Sequence, residues 1–469
     1  MAPLQALAPI WSAAGLPDAT LEALSLTGTE PVLPSSFAVS TAAQVSFAAA
    51  ALAAVELGHA RNGLRQRVHV DMRHAALECT ARFLIDGLAP EAWDKLAGLY
   101  ACGPDGRDGW VRIHTNFTHH RDGVLRLLGL PEGANTERDA VARALAGWGA
   151  YAFEQAASDA GLVVAALRSF DEWDAHPQAA AAAAQPLVAI ERIGDAPPRA
   201  LPALPLASRP LEGLRVLDLT RVLAGPVAGR MLAAYGADVM LVNAPHLPNI
   251  EAIADTSRGK LSAVVDLREP AGRDALRAVL QDAHVFVQGY RPGALAALGF
   301  APTDVARVRP GIVVVSLSAY GERGPWADRR GFDSLVQCAT GFNHAEGQAA
   351  GSGEPRALPM QVLDMASGAL IAFGAQAALL RQQREGGSWQ VTVSLARTGL
   401  WLRELGRISN GFIAPPADFT GLMETTASGW GELTALRHAA VFSHTPAGWV
   451  RPSMPPGSHA LAWPAHSSH

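Results

Sequence analysis

The sequence predicts an α/β fold with a doubly wound parallel sheet, and two observations predict it. Residues 211–242 (LEGLRVLDLTRVLAGPVAGRMLAAYGADVMLV) have the pattern strand, tight loop, helix, strand, which is typical of a crossover between parallel strands. From there to residue 317, short apolar strand patterns alternate with helical patterns. Such alternation is typical of a parallel sheet covered by helices on both faces.

The predicted elements follow in order along this half of the chain. Strands are predicted at residues 216–219, 237–242, 263–267, 284–287 and 312–317, and helices at 224–236, 269–282 and 292–298. Pro226 and Pro270 suit the first turn of a helix, and Gly236 suits a helix end. Ligands of such sheets bind beyond the carboxyl ends of the strands. The side chains at these ends belong to Thr220-Arg221, Asn243, Gln288-Gly289-Tyr290 and Ser318-Ala319-Tyr320.

The loop between the first strand and helix, TRVLAGP, favours an anionic ligand. A helix N-terminus presents backbone N–H groups that bind phosphates and carboxylates. The loop lacks the G-x-G-x-x-G spacing of dinucleotide folds, so the crossover predicts a nucleotide-type ligand other than NAD.

A proline-rich linker separates two halves of different character. Residues 195–210 contain five prolines, which is typical of a semi-extended connection. Upstream, helices are predicted at 42–57, 72–85 and 121–128 and strands at 68–71 and 110–114, a mixed α+β pattern. The predicted division is an N-terminal segment 1–35, a module 36–194, the linker 195–210, an α/β domain 211–400 and a C-terminal remnant 401–469.

Composition excludes several classes of function. The net charge is −5 without a basic tract, which disfavours nucleic acid and anionic membranes as partners. The three cysteines, Cys79, Cys102 and Cys338, lack paired spacing, so we expect a reduced cytoplasm and no metal cluster. No basic region precedes an apolar run at the N-terminus, so no signal peptide is expected. The apolar stretch 42–57 is too short to span a membrane and is expected to be a buried helix.

The chain also contains an internal similarity. Residues 41–71 and 364–394 align without gaps, and they share the order apolar helix, basic–glycine turn and Val-x-Val strand. We interpret this as a degenerate duplication. Chance similarity between two helix–strand units is the alternative.

Several motifs together resemble family III (CaiB/BaiF-type) CoA-transferases. The motifs are the 211–242 segment, SRGKLSAVVDL, VFVQGYRPGALAALGF, VVVSLSAYGERGPWADRRGFDSLVQ and LPMQVLDMASG, in the family's order over roughly residues 208–400. The upstream half (VHVDMRHAAL, DGRDGWVRIHTN, GLVVAALRSFDEW) resembles the family's later, smaller domain. The resemblance implies a Rossmann-like CoA-binding domain plus a smaller α+β domain, preceded by a partial second copy.

The resemblance implies that Asp364, in LPMQVLDMASG, is the catalytic nucleophile. In this family the aspartate attacks an acyl-CoA thioester, and CoA thiolate then opens the acyl anhydride to give an aspartyl-CoA thioester. The small residues Ala366, Ser367 and Gly368 would let substrate approach and offer backbone donors to the oxyanion. The alternative is that Asp364 caps a helix beginning near Met365. Thr41 aligns with Asp364 and lacks a carboxylate, so a single active site is predicted.

The resemblance also implies which residues bind coenzyme A. They are Arg221, Val222, Ala224, Arg258, Lys260, Gly289, Tyr290 and Arg291. Arginine and lysine pair with phosphates, and tyrosine stacks on adenine. Asn243 stands where the family usually has an acidic residue.

Two further groups have alternative interpretations. His114, His119 and His120 have no metal-ligand spacing and form either a polar loop or part of the substrate site. Phe332, in GFD, replaces the histidine of the family's racemases, and because phenylalanine moves no proton, racemisation is disfavoured.

The predicted function is therefore acyl-CoA:carboxylate CoA transfer in the cytoplasm, with acyl-CoA and a carboxylic acid acceptor as substrates and no metal. The alternatives are an acyl-CoA isomerase or racemase on the same fold and a non-catalytic acyl-CoA-binding protein. The resemblance implies a homodimer, although a fused second copy also permits a monomer.

Overall fold

A computed structural model describes residues 1–464. The strands are β1 (Leu24–Thr27), β2 (Val68–Asp71), β3 (Phe83–Ile85), β4 (Gly98–Ala101), β5 (Trp110–Ile113), β6 (Val164–Ala166), β7 (Ala189–Gly194), β8 (Arg215–Leu219), β9 (Asp238–Asn243), β10 (Lys260–Val264), β11 (Val285–Gln288), β12 (Val313–Ser318), β13 (Ser388–Ser394), β14 (Met423–Ser428), β15 (Gly431–Leu436) and β16 (Ala440–Phe442). The helices are α1 (Pro3–Ala13), α2 (Val39–Asn62), α3 (Met72–Glu78), α4 (Thr118–Leu127), α5 (Arg138–Leu145), α6 (Ala150–Asp159), α7 (Phe170–Asp174), α8 (Pro177–Ala183), α9 (Ala224–Ala234), α10 (Ile253–Thr256), α11 (Pro270–Leu280), α12 (Pro302–Val308), α13 (Asp333–Ala339), α14 (Phe342–Ala350), α15 (Val362–Glu385) and α16 (Leu395–Glu404).

A seven-stranded sheet organises the second half of the chain. Its order is β10-β9-β8-β11-β12-β13-β7. Neighbouring strands are parallel except at the β7 edge, where β7 runs antiparallel to β13. The central strands are mostly apolar because helices cover both faces. The predicted α/β fold is confirmed.

Most predicted elements are present with small shifts at their ends. Strands β2, β5, β8, β9, β11 and β12 and helices α2, α4, α9 and α11 lie where the sequence pattern predicts them. Between residues 195 and 210 there is neither helix nor strand, as expected of a proline-rich linker.

Three predicted elements were wrong. The strand predicted at 263–267 is β10, which begins at the fully buried Lys260. A lysine at the start of a strand interrupts the apolar pattern from which the strand was predicted. The helix predicted at 292–298 is only a short 3₁₀ turn, Ala296–Leu298. The helix predicted at 72–85 ends at Glu78, and β3 follows because Phe83 and its neighbours pair with β15. That pairing joins distant segments, which local periodicity cannot show.

The long helices α2 and α15 pack against each other inside the largest hydrophobic core. The Gln376 side chain of α15 donates a hydrogen bond to the Ala50 carbonyl of α2 at 3.0 Å. Both helices are long and apolar enough to cross a membrane, yet their most hydrophobic stretches are 94% and 100% buried within the protein. They therefore have the burial of core helices, as predicted for residues 42–57.

The two similar segments occupy similar surroundings. Strand β2 follows α2, runs parallel to β1 and antiparallel to β16. Strand β13 follows α15, runs parallel to β12 and antiparallel to β7. Helix α3 follows β2 just as α16 follows β13. This common arrangement favours the duplication, which stays a prediction.

The sequential segments interleave in space. Strand β7, from the upstream module, completes the edge of the large sheet beside β13. Strands β15 and β16, from the C-terminal segment, pair with β3 and β2 of the upstream module. The C-terminal segment thus helps to hold the upstream module in place.

Candidate active site

A cavity of about 330 Å³ lies beyond the carboxyl ends of β8, β11 and β12. Seven of the nine predicted site residues line it: Arg221, Val222, Ala224, Gly289, Tyr290, Arg291 and Asp364. Ser318 and Ala319, at the end of β12, line it as well. The cavity therefore lies where ligands of doubly wound sheets bind.

The loop that leads into α9 is strained. Val222 has φ +73°, a left-handed conformation that is rare for a β-branched residue. At Gly225, an added Cβ would lie 2.4 Å from the Thr220 side chain, so the tight return toward β8 requires glycine. Backbone strain of this kind is found where a ligand must be approached closely, and both Val222 and the first residue of α9 face the cavity.

Asp364 is the third residue of α15, since the helix begins at Val362 and its cap is Gln361. The alternative of an Asp364 cap before Met365 is wrong. Instead the Asp364 backbone N–H donates to the Asp333 carboxylate at 2.8 Å. The carboxylate that caps the helix thus comes from α13, and the Asp364 side chain remains free to face the cavity.

The two aspartates form a coupled acidic pair. Burial raises the pKa of Asp364 well above its usual value, and the negative charge of Asp333 raises it further. Burial also raises the pKa of Asp333 to about 7, against the lowering effect of the Asp364 N–H and the Gln337 amide. Two buried carboxylates that repel each other do not both ionise readily. Burial and the charge of Asp333 therefore shift the ionisation of Asp364 to higher pH.

Replacing Asp333 with asparagine tests this coupling. Asp333→Asn keeps an acceptor for the Asp364 N–H and removes the neighbouring negative charge, so the pKa of Asp364 should fall. Because a nucleophilic carboxylate must be ionised, we expect the acidic limb of the rate–pH profile to move to lower pH. A pH series of the transfer rate measures this shift, and an unmoved or upward-shifted limb contradicts the coupling.

The small residues after Asp364 pack rather than line the cavity, which corrects the prediction made for them. Ala366 and Ser367 are buried, and the Ser367 hydroxyl lies 2.8 Å from that of Thr398. An added Cβ at Gly368 would lie 2.5 Å from the Ala224 carbonyl oxygen. Gly368 therefore allows α15 to approach the start of α9, which brings Asp364 to the TRVLAGP loop.

Arg258 and Lys260 do not line the cavity, so their prediction as CoA ligands is corrected. Arg258 is 3% exposed; it pairs with Asp255 and Glu424, and its guanidinium lies 3.8 Å from the Trp449 ring centroid. Lys260 is fully buried, 2.7 Å from the Asp218 carboxylate. Buried cations paired in this way are bound to the protein itself.

Lys260 also stabilises the entrance to α9. Its ammonium donates to the Pro226 carbonyl at 2.7 Å, while Asp218 accepts from the Thr220 hydroxyl. At Gly229, an added Cβ would lie 2.2 Å from Asp218, so glycine admits the ion pair. Lys260 of the SRGK motif therefore holds the TRVLAGP loop from the protein interior.

The upstream module forms one wall of the cavity through Phe117, Val163, His119 and His120. Of the two interpretations for the histidines, the structure favours substrate lining for His119 and His120. Phe117 and Val163 were not predicted, because their position depends on tertiary packing. Arg329 and Arg330 line the cavity as well and were not predicted, although they stand directly before the GFD motif.

Phe332 lies in the same wall and contacts His114. Their rings stack with centroids 4.1 Å apart. Burial, together with His120 and Arg112, lowers the pKa of His114 to about 3, so the imidazole is neutral. Asn243, at the end of β9, is also buried, and neither its amide oxygen nor its nitrogen has a hydrogen-bond partner among the described residues.

Thr41 stands in the same helical position as Asp364. Its backbone N–H, in the first turn of α2, donates to the Glu30 carboxylate at 2.6 Å, as that of Asp364 does to Asp333. Thr41 is buried and absent from the lining of the cavity. This favours the prediction of one active site.

Comparisons with known proteins point to the same region. Residues 211–405 match the model of CoA-transferase family III. The chain is 34% identical over 202 residues to the probable fatty acyl-CoA transferase Rv3272 of Mycobacterium tuberculosis, covering 40% of this chain and 51% of that protein. It is 28% identical over 419 residues to an acyl-CoA transferase of Gibberella moniliformis, covering 81% of this chain and 73% of that protein.

A solved structure of Rv3272 gives 33% identity and a TM-score of 0.39, covering 42% of this chain and 58% of that chain. The chain spans about half the length of several curated relatives it matches. The matches support the family resemblance for residues 211–405, the part of the chain that carries Asp364 and the TRVLAGP loop.

Proposed function

We propose that the protein is an acyl-CoA:carboxylate CoA-transferase with Asp364 as its nucleophile. One observation carries the proposal: Asp364 is the one carboxylate among the described residues that line a cavity otherwise rich in arginine. The arginines attract an anionic ligand, and the buried carboxylate is poorly solvated, which favours nucleophilic attack.

The reaction that fits this geometry is a double displacement. An Asp364 oxygen attacks the thioester carbonyl and the C–S bond breaks. CoA thiolate is the leaving group, and the product on the protein is an acyl–aspartyl anhydride. The thiolate then attacks the Asp364 carbonyl carbon, which releases the donor acid and forms an aspartyl-CoA thioester. An acceptor carboxylate then attacks the aspartyl-CoA thioester, which releases CoA thiolate and forms a new acyl–aspartyl anhydride. The thiolate attacks the acceptor's carbonyl carbon in this anhydride, which gives the new acyl-CoA and frees Asp364. No net proton transfer or water is required.

Arg221, Tyr290 and Arg291 would hold the nucleotide end of CoA. Arg221 lies 5.1 Å from the Phe117 ring centroid and has no carboxylate partner among the described residues. Arg291 is exposed at the cavity and likewise has no such partner. Guanidinium groups that are not neutralised by the protein suit phosphates.

Removing one of these cations should weaken CoA binding. For Arg291→Ala we expect the Kd of CoA to rise about tenfold, the effect of losing one charge-assisted hydrogen bond. Titration calorimetry with CoA measures it. The control is Arg268→Ala, because Arg268 is exposed and pairs with Asp266 away from the cavity. Equal Kd values for both variants contradict the assignment.

Intact-mass analysis after incubation with a panel of acyl-CoAs tests the proposed function. We expect a covalent adduct that maps to Asp364 and is absent from Asp364→Ala. CoA binding without any adduct would instead favour a non-catalytic acyl-CoA-binding protein.

His119 and His120 keep the racemase alternative open, because they place imidazoles in the same cavity as Asp364. Deuterium exchange at Cα of a 2-methylacyl-CoA in heavy water distinguishes the two reactions. Exchange without an adduct favours racemisation, and an adduct without exchange favours CoA transfer.

A single chain supplies both the Asp364 wall and the Phe117–His120 wall of the cavity. We therefore propose that activity does not require a second subunit to complete this cavity, whether the protein is a monomer or a homodimer. Light scattering after size exclusion, measured with activity across a dilution series, tests this.

A further inference from the structure

His120 is a buried histidine whose ring makes no hydrogen bond to residues 1–464, the part of the chain that the structure describes. It is 5% exposed on α4, and it lines the cavity. Its Nδ1 is buried without a hydrogen-bond partner among the described residues. An unpaired buried polar group opposes folding, and a ligand in the cavity that contacts the His120 ring would offset this cost.

His120 lies at the Asp364 end of the cavity. Its ring centroid is 6.2 Å from that of Phe332 and 5.6 Å from that of Phe117. Phe332 directly precedes Asp333, which holds the Asp364 backbone. The group bound beside His120 is therefore the one attached to the reacting carbon, the acyl group or the acceptor acid.

The surroundings of His120 determine what it binds. Burial, helped by His119, Arg330 and Arg221, lowers the pKa of His120 to about 3. The ring is then a neutral imidazole with one N–H donor. Arg330, which also lines the cavity, has no carboxylate partner among the described residues. A neutral donor among cations suits a carboxylate better than an alkyl group.

We propose that His120 is a specificity-determining residue that donates a hydrogen bond to a second carboxylate on the acyl group, so that the site prefers thioesters of short dicarboxylic acids. For turnover this rests on the proposed function, but recognition is testable by binding alone. Phe117 and Phe332 would contact the carbon chain between the thioester and the far carboxylate.

Succinyl-CoA and butyryl-CoA form a matched pair of probes because both acyl groups have four carbons and they differ in a terminal carboxylate. The parent protein for these measurements carries only Asp364→Ala, which blocks reaction, and we expect it to bind succinyl-CoA at least tenfold more tightly than butyryl-CoA. His120→Phe in that background should reduce the ratio below twofold and leave the Kd of CoA unchanged. His120→Gln, which restores a donor, should recover part of the preference.

His444→Phe is the control, because His444 is exposed and outside the cavity, and thermal unfolding shows whether each variant folds. Equal binding of the two thioesters by the parent protein, or an unchanged ratio in a folded His120→Phe variant, overturns the proposal. These outcomes are independent of whether an adduct forms at Asp364, so failure of the transferase mechanism is recognised separately.

Discussion

Asp364→Asn should reduce the rate of CoA transfer by on the order of 10⁴-fold, the scale of losing a covalent nucleophile. An amide has the size of the carboxylate but does not form the anhydride. The side chain faces the cavity, and no hydrogen bond of its carboxylate to the described residues is lost. The fold should therefore be preserved. Steady-state transfer rates, with the Kd of CoA measured in parallel, give the result.

Stability of the Asp364→Asn variant should equal or exceed that of the wild type. The substitution removes one charge from a buried pair in which each aspartate has a raised pKa. A carboxyl group with a raised pKa costs stability progressively as the pH rises from the ordinary aspartate value, near 3.8, to the raised value in the folded protein. The gain of the variant should therefore be small near pH 4 and larger at pH 8. Thermal unfolding at pH 4 and pH 8 compares the two proteins.

Thr41→Ala is the matched control for Asp364→Asn, because the two residues occupy the same position in α2 and α15 and both backbone N–H groups bind a carboxylate. Transfer should stay within twofold of the wild type. A loss comparable to that of Asp364→Asn would show that the first segment carries chemistry, and a residual rate within tenfold for Asp364→Asn would exclude it as nucleophile.

The sequence predicted most central strands of the sheet and proposed Asp364 as the nucleophile, because apolar strands, helix punctuation and the LPMQVLDMASG motif are local signals. It was insufficient for Arg258 and Lys260. A basic residue next to a strand suggests an exposed phosphate ligand, and only the fold brings Asp218 and Glu424 to these cations. The same holds for His120, whose role depends on a wall formed by a segment far from Asp364 in the chain.

The contact between Asp333 and Asp364 could not be predicted from the sequence either. Asp333 follows Phe332 in the GFD motif, and its neighbour in space, Asp364, is separated from it along the chain by α14 and a loop. The hydrogen bond between Asp333 and the Asp364 backbone depends on the relative position of α13 and α15. Sequence patterns predict each helix separately and do not determine how the two helices are placed relative to each other.

A buried ionic cluster joins three parts of the chain. Arg230 of α9 is 1% exposed; it lies 3.1 Å from Glu78 of α3 and also pairs with Asp255 of α10. Glu78 accepts from the Ala439 N–H at 2.8 Å, and His438 lies 3.3 Å from it. The cluster therefore links the upstream module, the sheet domain and the C-terminal segment.

Arg230→Met should lower the free energy of unfolding by about 3–5 kcal/mol, because it removes the buried cation that Glu78 and Asp255 share. Among the described residues, Glu78 then keeps only His438 as a salt-bridge partner, while Asp255 keeps only Arg258. Urea unfolding at pH 7 measures the loss. The control is Arg126→Ala, where an exposed pair with Glu132 is broken and a change below about 1 kcal/mol is expected. An equal change in both variants contradicts a structural role for the cluster.

The pH dependence gives an independent test of the same cluster. Although burial opposes ionisation, His438 and Arg230 hold the pKa of Glu78 at about 2. A lowered pKa stabilises the fold above the ordinary glutamate value, near 4.5, and this contribution is lost as the pH falls toward 2. In Arg230→Met the lowering is weaker, so the difference in stability between wild type and variant should shrink between pH 5 and pH 3. A difference that stays constant over this range would mean that Arg230 acts through packing rather than through its charge.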